Sequence, residues 1–152
     1  FSKNFYFSKG SKKTKNKLIN KFQIPEPRLS IGLKLLNKVE FCTDISDGLS
    51  RELSQVSNNS NIQANIFLDS IPLSTEVKEI LKLNDRNKIL EIILNGGEDY
   101  ELLFSSSRAN RKKLNKIKNI SKIGFFSKGK GINYYNTDGK KIDFKKSGFS
   151  HF

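Results

Sequence analysis

The sequence is poor in the residues that cross-link a chain or bind soft metals. Its 152 residues include one cysteine, Cys42, and one histidine, His151, with no methionine or tryptophan. A single cysteine cannot form an intramolecular disulfide, which excludes a disulfide-rich secreted scaffold. A single histidine at the end of the chain also leaves a histidine-based triad or zinc cluster without further members.

Long apolar segments are missing as well. No apolar run approaches the ~20 residues that a membrane-spanning helix needs, and no signal-like segment opens the chain. These absences predict a soluble, cytoplasmic protein that contacts no membrane. The length suits one domain, since ~100–200 residues is the usual size. Because the chain begins without an initiator methionine, we expect it to be a fragment of a longer protein.

Positive charge is abundant but unevenly placed. Twenty-eight Lys and Arg residues against fifteen Asp and Glu give a formal net charge of +13. Residues 1–38 carry +9, residues 39–107 carry −7, and residues 108–152 carry +11. Lysine supplies most of the positive charge, whereas base and phosphate recognition favours arginine. The pattern indicates a lysine-coated solvent surface around an acidic centre, and we expect no nucleic acid as a partner.

Strand and helix patterns alternate along the chain. Pro25 and Pro27 force an extended segment and mark a boundary, which makes residues 1–24 a basic linker or helix from a preceding domain. Alternating apolar residues over 62–68 predict a strand. A second pattern predicts a helix that Asp85 caps and that runs through the apolar residues Ile89, Leu90, Ile92, Ile93 and Leu94. The whole pattern predicts an α+β fold, a layered α/β/α domain with a mixed sheet.

The first chemical motif is Asp44-Ile45-Ser46-Asp47-Gly48, between a predicted strand and a predicted helix. Two carboxylates on a tight turn can converge on one hard cation, and Mg²⁺ at nucleotide phosphates needs only one or two carboxylates plus water. Ser46 can donate to a phosphate oxygen near the positive end of the helix dipole. The alternative is that Ser46 and Asp47 are ordinary helix-capping residues.

The second motif is Gly96-Gly97-Glu98-Asp99-Tyr100-Glu101, where a predicted helix ends and a strand begins. Paired glycines allow the backbone to approach a ligand closely. Three carboxylates within four residues repel one another unless a cation or hydrogen-bond donors lie among them. The alternative is a helix end followed by a turn.

No side chain stands out as a covalent catalyst. Cys42 lies in an apolar strand without a neighbouring histidine, and we interpret it as a buried structural thiol. The phosphate-loop pattern G-x-x-x-x-G-K-[ST] does not occur. We therefore expect no catalytic nucleophile.

These motifs, with others in the same order, resemble the C-terminal domain of the thiamine-monophosphate kinase family. The shared elements are Gln23-Ile24-Pro25-Glu26-Pro27-Arg28, Gly32, Asp44-Ile45-Ser46-Asp47-Gly48-Leu49, Pro72-Leu73, Gly96-Gly97-Glu98-Asp99-Tyr100-Glu101-Leu102-Leu103-Phe104, Ile123-Gly124 and Gly148-Phe149-x-His151-Phe152. The first chemical motif is shared loosely with aminoimidazole ribonucleotide synthase and selenophosphate synthetase. The second motif and the final one are more specific.

The resemblance implies direct transfer of the γ-phosphoryl group of ATP to thiamine monophosphate, with Mg²⁺ as cofactor and thiamine diphosphate as product. It implies that Asp44 and Asp47 ligate Mg²⁺ and that Ser46 contacts ATP. It further implies that Glu98 touches the thiamine group and that Phe149 stacks on it. Phosphoryl transfer depends on positioning and charge neutralisation more than on a protein nucleophile, which agrees with the absence of one.

The resemblance also implies what lies outside the chain. Residues 25–152 would form the C-terminal domain, while the N-terminal domain, which also forms a homodimer in the family, is not in this sequence. We therefore expect the isolated fragment to fold but to be inactive. The alternative is another ATP-dependent enzyme of the same superfamily, and a basic nucleic-acid-binding module is a distant third.

Overall fold

The structure is a computed structural model that describes residues 9–144. Its described residues form two compact units, of which the first takes residues 9–52 together with 73–120. The second takes residues 53–72 together with 121–144. Each unit has its own apolar core.

Helices make up most of the first unit. Within residues 9–144 the α-helices are α1 Lys12–Gln23, α2 Leu29–Leu35, α3 Leu49–Ser60, α4 Thr75–Leu83, α5 Arg86–Asn95 and α6 Arg111–Leu114. The division between the units falls inside α3, and the other helices belong to the first unit. Short 3₁₀ turns lie at Leu68–Ser70 and Arg108–Asn110.

The basic segment at the start of the described chain is a helix packed on the first unit. Ser11 caps α1 by accepting a hydrogen bond from the backbone N–H of Thr14. The buried Thr14 hydroxyl donates to the Glu79 carboxylate of α4 at 2.6 Å. One turn further, Lys17 forms an ion pair with Glu76 at 2.9 Å. Helix α1 therefore packs on α4 through polar contacts, and the prediction that residues 1–24 belong to a preceding domain stays a prediction.

A two-stranded antiparallel sheet lies in the same unit. Its strands are β1 Phe41–Asp44 and β3 Leu102–Ser105, with Asp44 opposite Leu102. The core of the unit consists of buried aliphatic side chains from these strands and the surrounding helices. They are Leu35, Leu49, Ile80, Ile89, Leu90, Leu94, Leu103 and Leu114.

The second unit contains a mixed four-stranded sheet in the order β4-β2-β5-β6. Its strands are β2 Ile62–Phe67, β4 Gly124–Lys128, β5 Gly131–Tyr135 and β6 Lys141–Ile142. Strand β2 pairs antiparallel with β4 and parallel with β5. Its buried aliphatic residues are Leu53, Ala64, Ile66 and Leu68. The prediction of a mixed α and β architecture with a mixed sheet is confirmed, and the strands are divided between two sheets.

A buried serine fastens α3 to this mixed sheet. The Ser57 hydroxyl is fully buried, donates to the Ile62 carbonyl at 2.6 Å and accepts from the Gly131 N–H at 2.7 Å. The one hydroxyl thus links the helix to β2 and β5. Gly131 has a φ of +85° at the start of its strand, a conformation that glycine adopts freely.

Replacing Ser57 by alanine removes both hydrogen bonds at once. We expect Ser57→Ala to lower the free energy of unfolding by about 1–3 kcal/mol, the usual cost of leaving buried polar groups without a partner. Urea unfolding followed by circular dichroism measures the loss. Ser60→Ala, at the exposed end of the same helix, is the matched control and should change stability by less than about 0.5 kcal/mol. Equal effects of the two substitutions would contradict this assignment.

None of the helices within residues 9–144 combines the length and apolar character that crossing a membrane requires.

Candidate functional site

The pairing of β1 with β3 brings the two chemical motifs together. The first motif begins at Asp44, the last residue of β1, and the second motif ends at Glu101, one residue before β3. In an antiparallel pair the end of one strand lies beside the start of the other. Two segments that are about fifty residues apart in sequence therefore share one end of the small sheet.

Backbone hydrogen bonds extend this contact beyond the strands. The Ile45 N–H donates to the Glu101 carbonyl at 2.8 Å, and the Tyr100 N–H donates back to the Ile45 carbonyl at 3.0 Å. The Glu98 N–H donates to the Ser46 carbonyl at 2.7 Å. Residues assigned by resemblance to ATP and to thiamine, Ser46 and Glu98, thus belong to one hydrogen-bonded loop pair.

Gly97 explains why the two loops can approach so closely. A Cβ atom at this position would lie 2.4 Å from the Ser46 carbonyl oxygen and 3.3 Å from the Asp47 Cα. Every residue other than glycine carries that atom, so the loops would have to separate. The sequence predicts that the glycine pair lets the backbone approach a ligand, and that stays a prediction; the group that Gly97 approaches in the structure is the first motif itself.

Two residues of the second motif have left-handed backbone conformations. Glu98 has a φ of +66° and Tyr100 a φ of +51°. Such conformations are uncommon outside glycine, cost about 1–3 kcal/mol each, and concentrate at functional sites. The segment is held in a strained shape by its surroundings.

Asp99 lies between these two residues. Desolvation by the surrounding protein raises the pKa of its carboxyl, and the Lys21 ammonium opposes that effect.

The first motif presents its carboxylates to solvent. Asp44 is exposed at the end of β1, and Asp47 lies in the loop before α3 with its side chain 53% exposed. The Asp47 carboxylate pairs with the Arg51 guanidinium at 3.2 Å. The described residues contain no group of three or more His, Cys, Asp or Glu side chains able to hold a metal. A cation held by two carboxylates, water and phosphate oxygens is compatible with that donor set.

An arginine from outside both motifs binds the end of the second one. The Arg28 guanidinium donates to both oxygens of the Glu101 carboxylate, from Nε at 2.9 Å and from Nη2 at 2.7 Å. This hydrogen-bonded pairing lowers the pKa of Glu101, and the Lys21 ammonium at 3.6 Å adds to the effect. The same pairing raises the pKa of Arg28. The carboxylate therefore stays ionised to lower pH than an ordinary glutamate.

A lowered pKa makes this ion pair a pH-dependent source of stability. The pair stabilises the fold fully above the pKa of an unfolded glutamate, about 4.3, and the contribution is lost as the pH falls through the lower folded pKa. Glu101→Gln should therefore destabilise the chain at pH 7 by about 0.5–1 kcal/mol, since partial exposure screens the pair. Urea unfolding at pH 7 and near pH 3 should show this difference shrinking on acidification. A constant difference would contradict the pairing.

A groove borders the site. Its volume is about 560 Å³. Its lining combines the proline segment and α2 with residues of both motifs: Pro25, Pro27, Arg28, Leu29, Gly32, Leu33, Asp44, Tyr100 and Leu102. Leu29 and Leu33 are 75% and 70% exposed, so one wall of the groove is an open apolar surface.

The outcome for the individual residues differs. Asp44, Ser46, Asp47 and Glu98 lie on the same pair of loops, while their ligand roles stay predictions. Phe149 lies outside the described residues.

The interpretation of Cys42 as a buried thiol is wrong, because alternation along β1 places it on the exposed side with Asp44. Partial desolvation nevertheless raises the pKa of its thiol, which disfavours the nucleophilic thiolate.

Arg28 is the functional candidate that sequence reasoning did not single out. It belongs to the proline segment that contributes to the family resemblance, but it lies 73 residues from its partner Glu101. No local sequence pattern predicts a pairing between residues this far apart in the chain. The sequence shows only an arginine after two prolines and, far downstream, three carboxylates within four residues.

Comparison with solved structures defines the class of fold. Escherichia coli HypE, a hydrogenase maturation protein, matches with a TM-score of 0.59 at 17% identity, over 74% of this chain and 37% of that chain. A likeness at that identity concerns the fold alone. The fold is that of the aminoimidazole ribonucleotide synthase-like proteins.

Other relatives share more of the sequence with this chain. The thiamine-monophosphate kinase of Buchnera aphidicola subsp. Schizaphis graminum is 43% identical over 143 residues, which cover 90% of this chain and 43% of that kinase. A solved ThiL structure complexed with AMPPCP and TMP matches with a TM-score of 0.73 at 28% identity, over 90% of this chain and 42% of that chain. No established protein-family profile matches the chain.

The chain is homologous to the C-terminal domain of the thiamine-monophosphate kinases, and the resemblance seen in its motifs is confirmed. It spans less than half the length of these relatives.

Proposed function

We propose that this chain supplies the C-terminal half of an ATP- and Mg²⁺-dependent kinase that converts thiamine monophosphate to thiamine diphosphate. The observation that carries the proposal is the hydrogen bond from the Glu98 N–H to the Ser46 carbonyl, which joins the two motifs. The 43% identity to a thiamine-monophosphate kinase supports the choice of substrate. The proposed kinase would act in the cytoplasm.

Within this proposal the first motif handles the nucleotide. Asp44 and Asp47 would hold Mg²⁺, and Ser46 would contact ATP from the loop before α3. Bound there, Mg²⁺ would neutralise phosphate charge that the acidic centre of this chain cannot neutralise itself. Because Asp47 is already paired with Arg51, a cation at this carboxylate would compete with the guanidinium.

The second motif would handle the acceptor. Glu98 would contact the thiamine group, and Phe149 would stack on it. A carboxylate beside a cationic heteroaromatic ring gains favourable electrostatic energy, and an aromatic face adds a cation–π contact. The left-handed backbone at Glu98 supports a functional role, because strain of this kind persists where surrounding structure enforces it.

Half of the catalytic apparatus would come from a further domain. An apolar surface along the proline segment and α2 supports contact with other protein, since its large side chains are 60–80% exposed: Ile24, Leu29, Leu33 and Leu36. We propose that this surface faces the N-terminal domain of the kinase and that the complete enzyme is a homodimer. The chain alone would then bind its ligands weakly and be inactive.

The decisive experiment compares the chain alone with a complemented kinase. The complemented kinase is this chain co-expressed with the part of the Buchnera aphidicola kinase that it does not match. We expect thiamine diphosphate from the complemented kinase and none from the chain alone. Titration calorimetry with thiamine monophosphate, in the presence of Mg²⁺ and a non-hydrolysable ATP analogue, measures binding separately from turnover.

Glu98→Ala in the complemented kinase tests the substrate. A raised KM for thiamine monophosphate with an unchanged KM for ATP would support it. Unchanged turnover of thiamine monophosphate would contradict the contact of Glu98 with thiamine. No turnover by the unmutated complemented kinase would favour a different acceptor and hence another enzyme of the same fold. Robust turnover by the chain alone would contradict the need for a second domain.

A further inference from the structure

The contact between Arg28 and Glu101 differs in geometry from the ion pair between Lys21 and Glu101, in which one ammonium lies 3.6 Å from one carboxylate oxygen. Two nitrogens of one guanidinium meet two oxygens of one carboxylate, at 2.9 Å and 2.7 Å. This fork arrangement fixes orientation as well as distance. The Arg28 side chain is 27% exposed and that of Glu101 40% exposed, so solvent covers only part of the pair.

The position of Glu101 lets this ion pair act on the contact between the two motifs. Glu101 follows Tyr100 directly, and its own carbonyl accepts the hydrogen bond from Ile45. Upstream, the strained segment from Gly97 to Tyr100 is attached to the first motif through backbone contacts. Strained backbone persists only when its surroundings over-determine it. Arg28 supplies a side-chain anchor at the end of the segment that leads into β3.

Arg28 is itself tied to a second wall of the site. It directly precedes α2, and it lines the groove together with Asp44 and Tyr100. A shift of the guanidinium would therefore move Glu101 relative to Asp44, across the space where a ligand of both motifs would lie.

We propose that Arg28 is a positioning residue of the substrate site. Its bidentate pair with Glu101 holds the segment from Gly97 to Tyr100 against the Ser46 loop and so determines where Glu98 stands. The part of this inference that concerns substrate rests on the proposed function, because Glu98 is assigned to thiamine there. Arg28 does not touch the reacting atoms and acts through Glu101.

The chain offers a matched control for this idea. Arg28 also donates to Glu26 from Nη1 at 3.1 Å, but the Glu26 side chain is 82% exposed and only two residues away. Glu26→Gln removes the charge of a carboxylate that binds the same guanidinium, and it leaves the Arg28–Glu101 pair intact. If the role of Arg28 is positioning, Glu101→Gln and Arg28→Gln should act alike, and Glu26→Gln should act like the wild type.

Hydrogen exchange on the full 152-residue chain tests the structural part. Arg28→Gln and Glu101→Gln should each speed exchange of the Glu98 and Tyr100 amides by about tenfold, the scale of one charge-assisted hydrogen bond. Amides of β2 and β5 should exchange as before. Because each single variant already loses the Arg28–Glu101 pair, the double variant should exchange little faster than either, since only the weaker contacts to Glu26 and Lys21 are lost in addition. Unchanged exchange at Glu98, or fully additive effects, would overturn the inference.

Steady-state kinetics on the complemented kinase tests the functional part. We expect Arg28→Gln to raise the KM for thiamine monophosphate between roughly tenfold and a hundredfold, the range produced by misplacing a contact by an ångström, with the KM for ATP near that of the wild type. Arg28→Lys should recover only part of the loss, because an ammonium cannot form the fork. Purely structural damage would lower stability and leave this KM ratio unchanged, which would overturn the positioning role.

Failure of the proposed function has a different signature. An unmutated complemented kinase that is inactive with thiamine monophosphate would contradict the function. The exchange rates of Glu98 and Tyr100 would still decide whether Arg28 holds the segment.

Discussion

Gly97→Ala should abolish at least about 99% of the activity of the complemented kinase, because it pushes the second motif away from the first. The added methyl carbon would stand 2.4 Å from the Ser46 carbonyl oxygen. The contacting atom belongs to the backbone and cannot rotate away. The Glu98–Ser46 hydrogen bond must lengthen or break, and both motifs then lose their relative placement.

The same substitution should cost about 1–3 kcal/mol of unfolding free energy, which is typical of overpacking. Urea unfolding measures this loss, and hydrogen exchange at the Glu98 amide reports the separation of the loops. Gly139→Ala is the control, since Gly139 has a φ of +72° and no atom within 4 Å of the added carbon. It should lose some stability to backbone strain and keep full activity. Wild-type exchange at Glu98 in Gly97→Ala would show that the loops do not depend on this approach.

The example of Gly97 also shows what sequence can and cannot predict here. Adjacent glycines before an acidic run indicate a close backbone approach, and that prediction needs only the absence of a side chain. The identity of the approached group depends on the antiparallel pairing of β1 with β3, which is a tertiary property. Neither strand exceeds four residues, so their pairing has no strong local signal.

Local patterns succeeded where a single segment determines its own structure. The helix predicted from Asp85 through Leu94 is observed as α5, capped by Asp85, which accepts from the N–H groups of Asn87 and Lys88. The alternation over 62–68 is observed as β2 with a 3₁₀ turn at its end. Periodicity predicts these elements because burial of one face is enough to form them.

Local patterns failed where burial depends on a distant neighbour. Cys42 lies among apolar residues, but the register of β1 turns its side chain outward with Asp44. A shift of one residue would reverse every side chain of a strand. The left-handed conformations of Glu98 and Tyr100 cannot be predicted from the sequence either, because neither residue type favours them and only the surrounding contacts impose them.

Asp44→Asn should lower the phosphoryl-transfer activity of the complemented kinase by roughly a hundredfold to a thousandfold, the scale on which electrostatic groups at such sites act. The substitution removes one charge and hardly changes the shape. Asp44 is exposed and lies at the end of its strand, so stability should change by less than about 0.5 kcal/mol. A large activity loss without a stability loss would point to a ligand role for the carboxylate.

The dependence on Mg²⁺ separates a metal ligand from a residue that only shapes the loop. If Asp44 holds the cation, the variant should need a higher Mg²⁺ concentration for half-maximal activity and recover part of its rate at saturating metal. Asp138→Asn, in the exposed turn before β6, is the matched control and should keep the wild-type Mg²⁺ dependence. An unchanged requirement for Mg²⁺ in Asp44→Asn would remove Asp44 from the metal site.

Asp47→Asn extends the argument, because this carboxylate has a competing partner. Its exposed ion pair with Arg51 contributes only a few tenths of a kcal/mol, so its loss should hardly affect folding. Arg51→Gln removes that competitor and leaves the carboxylate intact. We therefore expect Asp47→Asn to raise the Mg²⁺ requirement and Arg51→Gln to lower it. Shifts in the same direction would mean that Asp47 serves Arg51 rather than a cation.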